Sequence, residues 1–237
     1  MIDRQTDGTA WEHDVSIRAG HVTLAATLGV PEQPRGVVLF AHGSGSSRHS
    51  PRNRYVARAL YDAGLATVLL DLLSTEEEAV DMRTAHLRFD IALLASRLIS
   101  ATDWATARSD LHGLPVGYFG ASTGGGAALV AAASRADVVR AVVSRGGRPD
   151  LAGDALPHVQ AATLLIVGGN DEPVIELNQR AMRQMSAEVE LRIVPGATHL
   201  FEEPGALEEV ARLAREWFLE HLAPLGAGAR RDDARAP

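Results

Sequence analysis

The chain contains no cysteine and no lysine, although it has 237 residues and all 23 of its Lys+Arg positions are arginine. Without cysteine there is no thiolate nucleophile, no disulfide framework and no thiolate metal site. Without lysine there is no Schiff base, no P-loop and no Ser-x-x-Lys dyad. Any catalytic chemistry must therefore use other side chains.

Long apolar runs are also missing. None approaches the ~18 residues that span a membrane, and the polar segment from Met1 to Asp14 lacks the apolar core of a signal peptide. The net charge of -7 gives no general attraction to nucleic acid or anionic lipid. We expect a cytoplasmic monomer or homodimer with neither nucleic acid nor membrane as a partner.

Short apolar runs alternate with helical patterns along the chain, which is typical of an α/β fold with a mostly parallel sheet. Val15–Arg18 and Val22–Leu28 predict an antiparallel N-terminal hairpin. Further strands are predicted at Gly36–Ala41, Ala66–Leu70, Pro115–Phe119, Arg140–Ser144, Thr163–Val167 and Val189–Val194. Helices are predicted at Arg52–Ala63, around His86–Ala101, after the glycine-rich segment at Ser122 as far as Ala133, and at Ala206–Leu222. Ser74–Glu78 resembles a helix-capping sequence.

This pattern predicts a sheet of about eight strands with helices on both faces. We expect one domain over residues 1–223. Residues 224–237 are small, polar and charged, which is typical of a disordered tail.

The first candidate for chemistry is Ser122, in Gly-Ala-Ser-Thr-Gly. A G-x-S-x-G match arises by chance in roughly one such chain in ten. Here, however, it directly follows a predicted strand and opens a helix, and this context places the serine on a sharp turn with its hydroxyl exposed. A glycine turn that binds phosphate, or merely packs closely, is the alternative.

A serine nucleophile needs a base and a carboxylate, which arrive in the order Ser, Asp, His in this geometry. Asp171 follows the strand Thr163–Val167, and His199 follows the strand Val189–Val194. We therefore predict a triad of Ser122, Asp171 and His199. Asp150 is a rival acid, because some proteins of this geometry carry the carboxylate after the earlier strand.

We predict that the backbone N–H of Thr123, the residue after the nucleophile, forms one half of an oxyanion hole. The Ser44 amide, in the loop His42-Gly-Ser-Gly-Ser-Ser-Arg, is our candidate for the other half. We interpret His42 as a structural residue that fixes this loop, since His199 already supplies the base.

Together, these motifs resemble the dienelactone-hydrolase-like group of α/β-hydrolases. The resemblance covers the His42-Gly43 loop, GASTGG around Ser122, GGNDEPV around Asp171 and GATHLFEEPG around His199. A subgroup that carries SRGGRPDLA, here Ser144–Ala152, is sometimes fused to phosphoribosyltransferase domains, and we expect no such domain in these 237 residues. The name-giving dienelactone hydrolases use a cysteine nucleophile, whereas this chain has a serine.

The resemblance implies an α/β-hydrolase fold and hydrolysis of a small carboxylic ester or lactone through an acyl-enzyme intermediate. No metal or organic cofactor is expected. An acyltransferase or a small amide or peptide hydrolase would use the same residues, and a non-catalytic binding protein on this fold is a further alternative.

The surroundings of the site give hints about its substrate. Only 18 residues separate Ser144 from Thr163, so no cap domain fits, and we expect short loops such as Leu73–Thr84 to cover the site. Arg48, Arg145 and Arg148 follow strands at the same edge and predict a substrate with an anionic group. Alternatively, these arginines pair with Asp150, Asp154 or Glu76–Glu78 and hold loops in place.

Overall fold

A computed structural model of the chain describes residues 11–223. The predicted tail, 224–237, lies outside the described residues. Eight strands form one sheet: β1 (His13–Ala19), β2 (Val22–Gly29), β3 (Val37–Ala41), β4 (Ala66–Leu70), β5 (Val116–Ala121), β6 (Val139–Arg145), β7 (Ala162–Gly168) and β8 (Val189–Val194).

The strand order is β1-β2-β4-β3-β5-β6-β7-β8. The β1–β2 and β2–β4 pairs are antiparallel. All other neighbouring pairs are parallel. This confirms the predicted mostly parallel sheet with an N-terminal hairpin. The carboxyl ends of β3 and β5 to β8 therefore meet at one edge, where open α/β sheets place their sites.

Helices cover both faces of the sheet, as predicted. The six α-helices are α1 (Pro51–Asp62), α2 (Thr75–Thr84), α3 (Ile91–Ala107), α4 (Thr123–Ser134), α5 (Glu172–Met182) and α6 (Ala206–His221). Because side chains alternate along a strand, Phe40 and Val143 pack on the α1 and α6 side, while Leu39 and Val142 pack on the α3 and α4 side. Each face has its own apolar core.

The expectation that Leu73–Thr84 forms a short loop is wrong, because α2 occupies most of it. Its N-terminus carries a capping box: the Glu77 N–H donates to Ser74 Oγ, and the Ser74 N–H donates to the Glu77 carboxylate at 2.8 Å. Asp81 is its only buried residue. With no buried apolar stripe, α2 lacks the periodicity that identifies most helices. The capping sequence seen at Ser74–Glu78 starts this helix.

The helix predicted around His86 begins later, at Ile91, and extends to Ala107. Its N-cap is Asp90, whose carboxylate accepts from the Leu93 N–H at 2.9 Å. Between β6 and β7 the chain forms only a short 3-10 segment, Pro149–His158, and no cap domain is present there. Within residues 11–223, no helix is long and apolar enough to cross a bilayer.

Candidate active site

Ser122 lies on the sharp turn between β5 and α4, with φ of 50° and ψ of -122°. The flanking glycines are required because backbones touch here. A Cβ on Gly120 would lie 2.5 Å from the Gly124 carbonyl oxygen, and one on Gly124 would lie 2.2 Å from the Ala41 carbonyl oxygen. The Ser122 carbonyl accepts from the N–H groups of Gly125 and Arg148. The turn is therefore held by backbone contacts, with the serine partly exposed.

His199 and Asp171 are in direct contact, with Nδ1 of the imidazole 2.7 Å from Oδ2 of the carboxylate. The Asp171 side chain is 14% exposed and that of His199 is 40% exposed. Nε2 of His199 makes no hydrogen bond to any residue in 11–223, Ser122 included. Hydrogen bonds between a catalytic serine and histidine often tighten only when substrate binds. The Asp171 carboxylate is thus placed to orient the His199 imidazole, and Nε2 is available to a reacting group.

The loops that carry Asp171 and His199 are tied to each other. The Asn170 N–H donates to the Ala197 carbonyl at 2.9 Å, and the Asn170 side-chain amide donates to the Gly196 carbonyl at 2.9 Å. Gly168 allows this approach, since a Cβ there would lie 2.4 Å from the Ala197 oxygen. The sequence alone does not indicate this role of Asn170, because its partners lie 26 or more residues away in the chain.

The two predicted oxyanion donors belong to segments that adjoin Ser122. Thr123 is the first residue of α4, and the first N–H groups of a helix have no acceptor within it. The loop with Ser44 passes against the nucleophile, since a Cβ on Gly43 would lie 3.0 Å from Ser122 Cβ. Ser44 is exposed. An oxyanion between these amides would also profit from the positive end of the α4 dipole.

His42 is buried and joins two loops. Its Nδ1 lies 2.9 Å from the Gly43 carbonyl oxygen, and the Leu72 N–H donates to its Nε2 at 3.1 Å. Nδ1 therefore carries the proton and Nε2 is an acceptor. Burial lowers the pKa of His42, which favours this neutral form. These contacts agree with a structural histidine that fixes the Ser44 loop.

The three candidate arginines have different surroundings. Arg48 pairs with Asp71, and Arg148 forms a two-point pair with Asp150 at 2.8 and 2.7 Å. Asp150 is thus engaged by Arg148, whereas Asp171 contacts His199. Arg145 is buried and forms no ion pair with another described residue.

A cavity of about 460 Å³ lies beside the Ser44 loop, between the β1–β2 hairpin and α2. Its lining includes Thr23, Ser46, the Arg48–Asp71 pair and Met82. A much smaller hollow, which shares the His42 and Leu73 walls, reaches Ser44 and Thr123. The helix α2 is therefore a wall of the space next to the predicted oxyanion donors. Within residues 11–223, no group of three or more His, Asp or Glu side chains could hold a metal ion.

The profile of the dienelactone hydrolase family matches residues 24–223. The chain belongs to the dienelactone hydrolase family. A solved dienelactone hydrolase from Anabaena variabilis is 64% identical, with a TM-score of 0.88 over 89% of this chain and 98% of that one. This chain has the α/β-hydrolase fold, as the resemblance predicts.

Other relatives differ in length or in sequence. A protein of Mycobacterium tuberculosis named "Putative phosphoribosyl transferase" is 60% identical over 225 residues, which cover 95% of this chain and 50% of that protein. The present chain thus spans about half the length of the curated relatives it matches. Est1E from Butyrivibrio proteoclasticus is 18% identical, with a TM-score of 0.74 over 88% of this chain and 98% of that one. At that identity, Est1E supports the fold alone.

Proposed function

We propose that the protein is a serine hydrolase that cleaves a small carboxylic ester or lactone through an acyl-enzyme intermediate. The contact between His199 and Asp171, together with a serine on a sharp strand-to-helix turn, carries this proposal. Membership of a hydrolase family supports it. The chain lacks the cysteine of the name-giving enzymes, so the nucleophile is an oxygen.

In the proposed reaction, Ser122 Oγ attacks the substrate carbonyl while His199 Nε2 accepts its proton. Asp171 holds the imidazole in the Nδ1–H tautomer and stabilises the imidazolium that forms. The Thr123 and Ser44 amides stabilise the oxyanion. His199 then protonates the leaving alcohol, and water, activated by the same imidazole, releases the acid and frees Ser122.

The same residues would also serve acyl transfer to an alcohol or amine, or cleavage of a small amide. Competition between water and an added alcohol or amine, read from the products, separates these reactions. Hydrolysis is favoured because the solved relative with 64% identity is named a dienelactone hydrolase.

A second candidate, phosphoribosyl transfer, comes from the name of the mycobacterial relative. That protein is about twice as long as the matched segment, and the matched segment corresponds to hydrolase-family residues here. We propose that the transferase name refers to the other half of that relative. Pyrophosphate release from a phosphoribosyl pyrophosphate donor by this chain would contradict this assignment.

The test of the proposed function is labelling with a fluorophosphonate probe, followed by peptide mapping, beside hydrolysis of short 4-nitrophenyl esters. We expect the label at Ser122, and we expect Ser122→Ala to lower kcat by about 10⁴-fold or more, because the covalent step is lost. Ser134→Ala, at the exposed end of α4, is the matched control and should keep both label and turnover. A folded wild-type protein with neither label nor turnover would favour the binding-protein alternative.

A further inference from the structure

Arg145, the last residue of β6, is a buried cation without a carboxylate partner. It is 8% exposed. Its Nε and Nη1 atoms are buried and have no hydrogen-bond partner among residues 11–223. The pairs of Arg48 with Asp71 and of Arg148 with Asp150 show how the other two candidate arginines are neutralised. A buried, unpaired charge is unfavourable, so the folded protein keeps Arg145 at a cost to its stability.

A second guanidinium, that of Arg52 in the first turn of α1, adds to this positive charge. Burial lowers the pKa of Arg145 to about 10, and the charge of Arg52 contributes to the lowering. Arg145 therefore remains charged at neutral pH. Arg52 donates to Glu202 at 2.7 Å, and the Glu202 side chain is 63% exposed. The Arg52 Nε is also buried without a partner in the described chain.

Both arginines border the loop that carries His199. The Arg145 guanidinium lies 5.8 Å from the centre of the Phe201 ring, and Arg52 reaches the neighbouring Glu202. The Arg145 carbonyl accepts from the Ser122 N–H at 3.3 Å. A Cβ on Gly146, the next residue, would lie 3.5 Å from His199 Cε1. The backbone at Arg145 and Gly146 thus contacts the proposed nucleophile and the proposed base, and the Arg145 guanidinium lies beside Phe201, two residues after His199.

We propose that Arg145 and Arg52 form an anion subsite beside the His199 loop, which binds a carboxylate or phosphate group of the ester substrate. This inference rests on the proposed function. Guanidinium groups suit both anions, because they donate several hydrogen bonds from one plane and are weakly hydrated. Arg48 and Arg148 are not part of this subsite, because their partners Asp71 and Asp150 are only 22% and 25% exposed, whereas Glu202, the partner of Arg52, is 63% exposed and its charge is screened by solvent.

The kinetic test uses a matched pair of substrates, 4-nitrophenyl hemiglutarate, which carries a carboxylate, and neutral 4-nitrophenyl valerate. The measured quantity is the ratio of the KM for the anionic ester to the KM for the neutral one. We expect Arg52→Gln to raise this ratio about tenfold, because a hydrogen bond to a charged group is lost. Arg180→Gln on α5 removes an exposed arginine that pairs with Glu176, and should leave the ratio and turnover unchanged.

Arg145 is tested with a pair of variants. Arg145→Gln removes the charge, and Arg145→Lys keeps the charge but loses the planar set of donors. The KM ratio should rise in both, and more in Arg145→Gln. If Arg145→Gln does not fold, Arg145→Lys and Arg52→Gln still decide the matter. Equal effects of these variants on the two esters would overturn the inference and leave Arg145 as a packing residue of the His199 loop.

Binding of inorganic phosphate to the Ser122→Ala variant distinguishes a substrate group from a free anion. Phosphate should raise the melting temperature of this variant, and addition of Arg52→Gln should abolish the rise. Phosphate should also inhibit wild-type hydrolysis of the neutral ester competitively. Phosphate binding with an unchanged KM ratio would overturn the assignment to substrate. Absence of hydrolysis of either ester by the wild type would instead contradict the proposed function itself.

Discussion

Two aspartates, Asp150 and Asp171, follow neighbouring strands at the edge where the candidate site lies, and their partners differ. Asp171 accepts from the His199 imidazole, whereas both oxygens of Asp150 are used by Arg148. A carboxylate that acts as triad acid must contact the base directly. At the scale of single residues, these contacts therefore favour Asp171 over Asp150 as the acid of the proposed triad.

This difference predicts unequal effects of the two amide substitutions. Asp171→Asn should lower kcat by about 10⁴-fold, because the amide favours the wrong tautomer of His199. Asp150→Asn should change kcat by less than about threefold, since it affects a partly exposed ion pair that does not touch His199. Both values are measured on a short 4-nitrophenyl ester. Near-normal activity of Asp171→Asn together with inactivity of Asp150→Asn would reverse the assignment.

His42 gives a prediction about pH. Its pKa is lowered from 6.5 in the folded protein, so the unfolded chain takes up the proton first as the pH falls. The stability that His42 contributes is complete above about pH 6.5 and decreases as the pH falls towards the lowered pKa. His42→Gln keeps an acceptor for the Leu72 N–H without titrating. We expect this variant to lose less free energy of unfolding than the wild type between about pH 7 and about pH 5, as measured by urea denaturation.

The corresponding control is His86→Gln, which replaces an exposed histidine that contacts Thr84. Its pH dependence should match that of the wild type. If His42→Gln also follows the wild-type curve, the neutral, buried state of His42 does not contribute to the acid sensitivity of the fold.

At the scale of elements, strands were predicted better than helix starts. β3 and β4 are buried on both faces, so each reads as a continuous apolar run whose ends are visible in the sequence. The helix α2 is different, because only Asp81 is buried along it. Its capping signal was visible but its apolar periodicity was not, so the sequence predicted a cap and assigned the helix to a later segment.

The candidate site likewise contains some features that the sequence predicts and others that it does not. The strand-end positions of Ser122, Asp171 and His199 could be predicted because each residue lies in a motif of local sequence. The tie from Asn170 to Gly196 and the proximity of Arg52 to Arg145 could not, since they depend on the packing of loops and helices distant in the chain. For the same reason, the sequence does not identify the ion-pair partners of Arg48 and Arg148.

The capping box of α2 leads to a prediction about stability. Ser74→Ala removes the acceptor for the Glu77 N–H and should lower the free energy of unfolding by about 1 kcal/mol. Ser100→Ala, within α3, removes a hydroxyl that donates to the Ser96 carbonyl. Because alanine favours a helix interior, this control should cost less than about 0.5 kcal/mol. Equal losses in the two variants, measured by urea denaturation, would show that the cap does not set the stability of α2.

At the scale of the whole molecule, the candidate site lies at one edge of a buried sheet, next to a helix that buries few residues. Residues along β5 are buried throughout. Those along α2 are mostly exposed. Local opening is easiest where few apolar groups are buried. The wall formed by α2 should therefore open more readily than the sheet that positions Ser122.

Hydrogen exchange followed by mass spectrometry measures this difference. We expect peptides from β3, β5 and β7 to exchange slowest, at rates set by global unfolding, and peptides from α2 to exchange by local opening. Peptides from α3, which has many buried residues, serve as a helical reference. Equal protection of α2 and α3 would contradict an easily opened wall.

The turn at Ser122 has a consequence for the family as a whole. Its position is fixed by its own backbone, which donates to Arg145 and accepts from Gly125 and Arg148, and by glycines pressed against carbonyls. Its side chain caps no helix N–H. The scaffold is thus indifferent to the element at the γ position and would present sulfur where it presents oxygen. Exchange of the γ oxygen for sulfur should therefore leave the turn unchanged, so either kind of nucleophile can occupy this position without remodelling the fold.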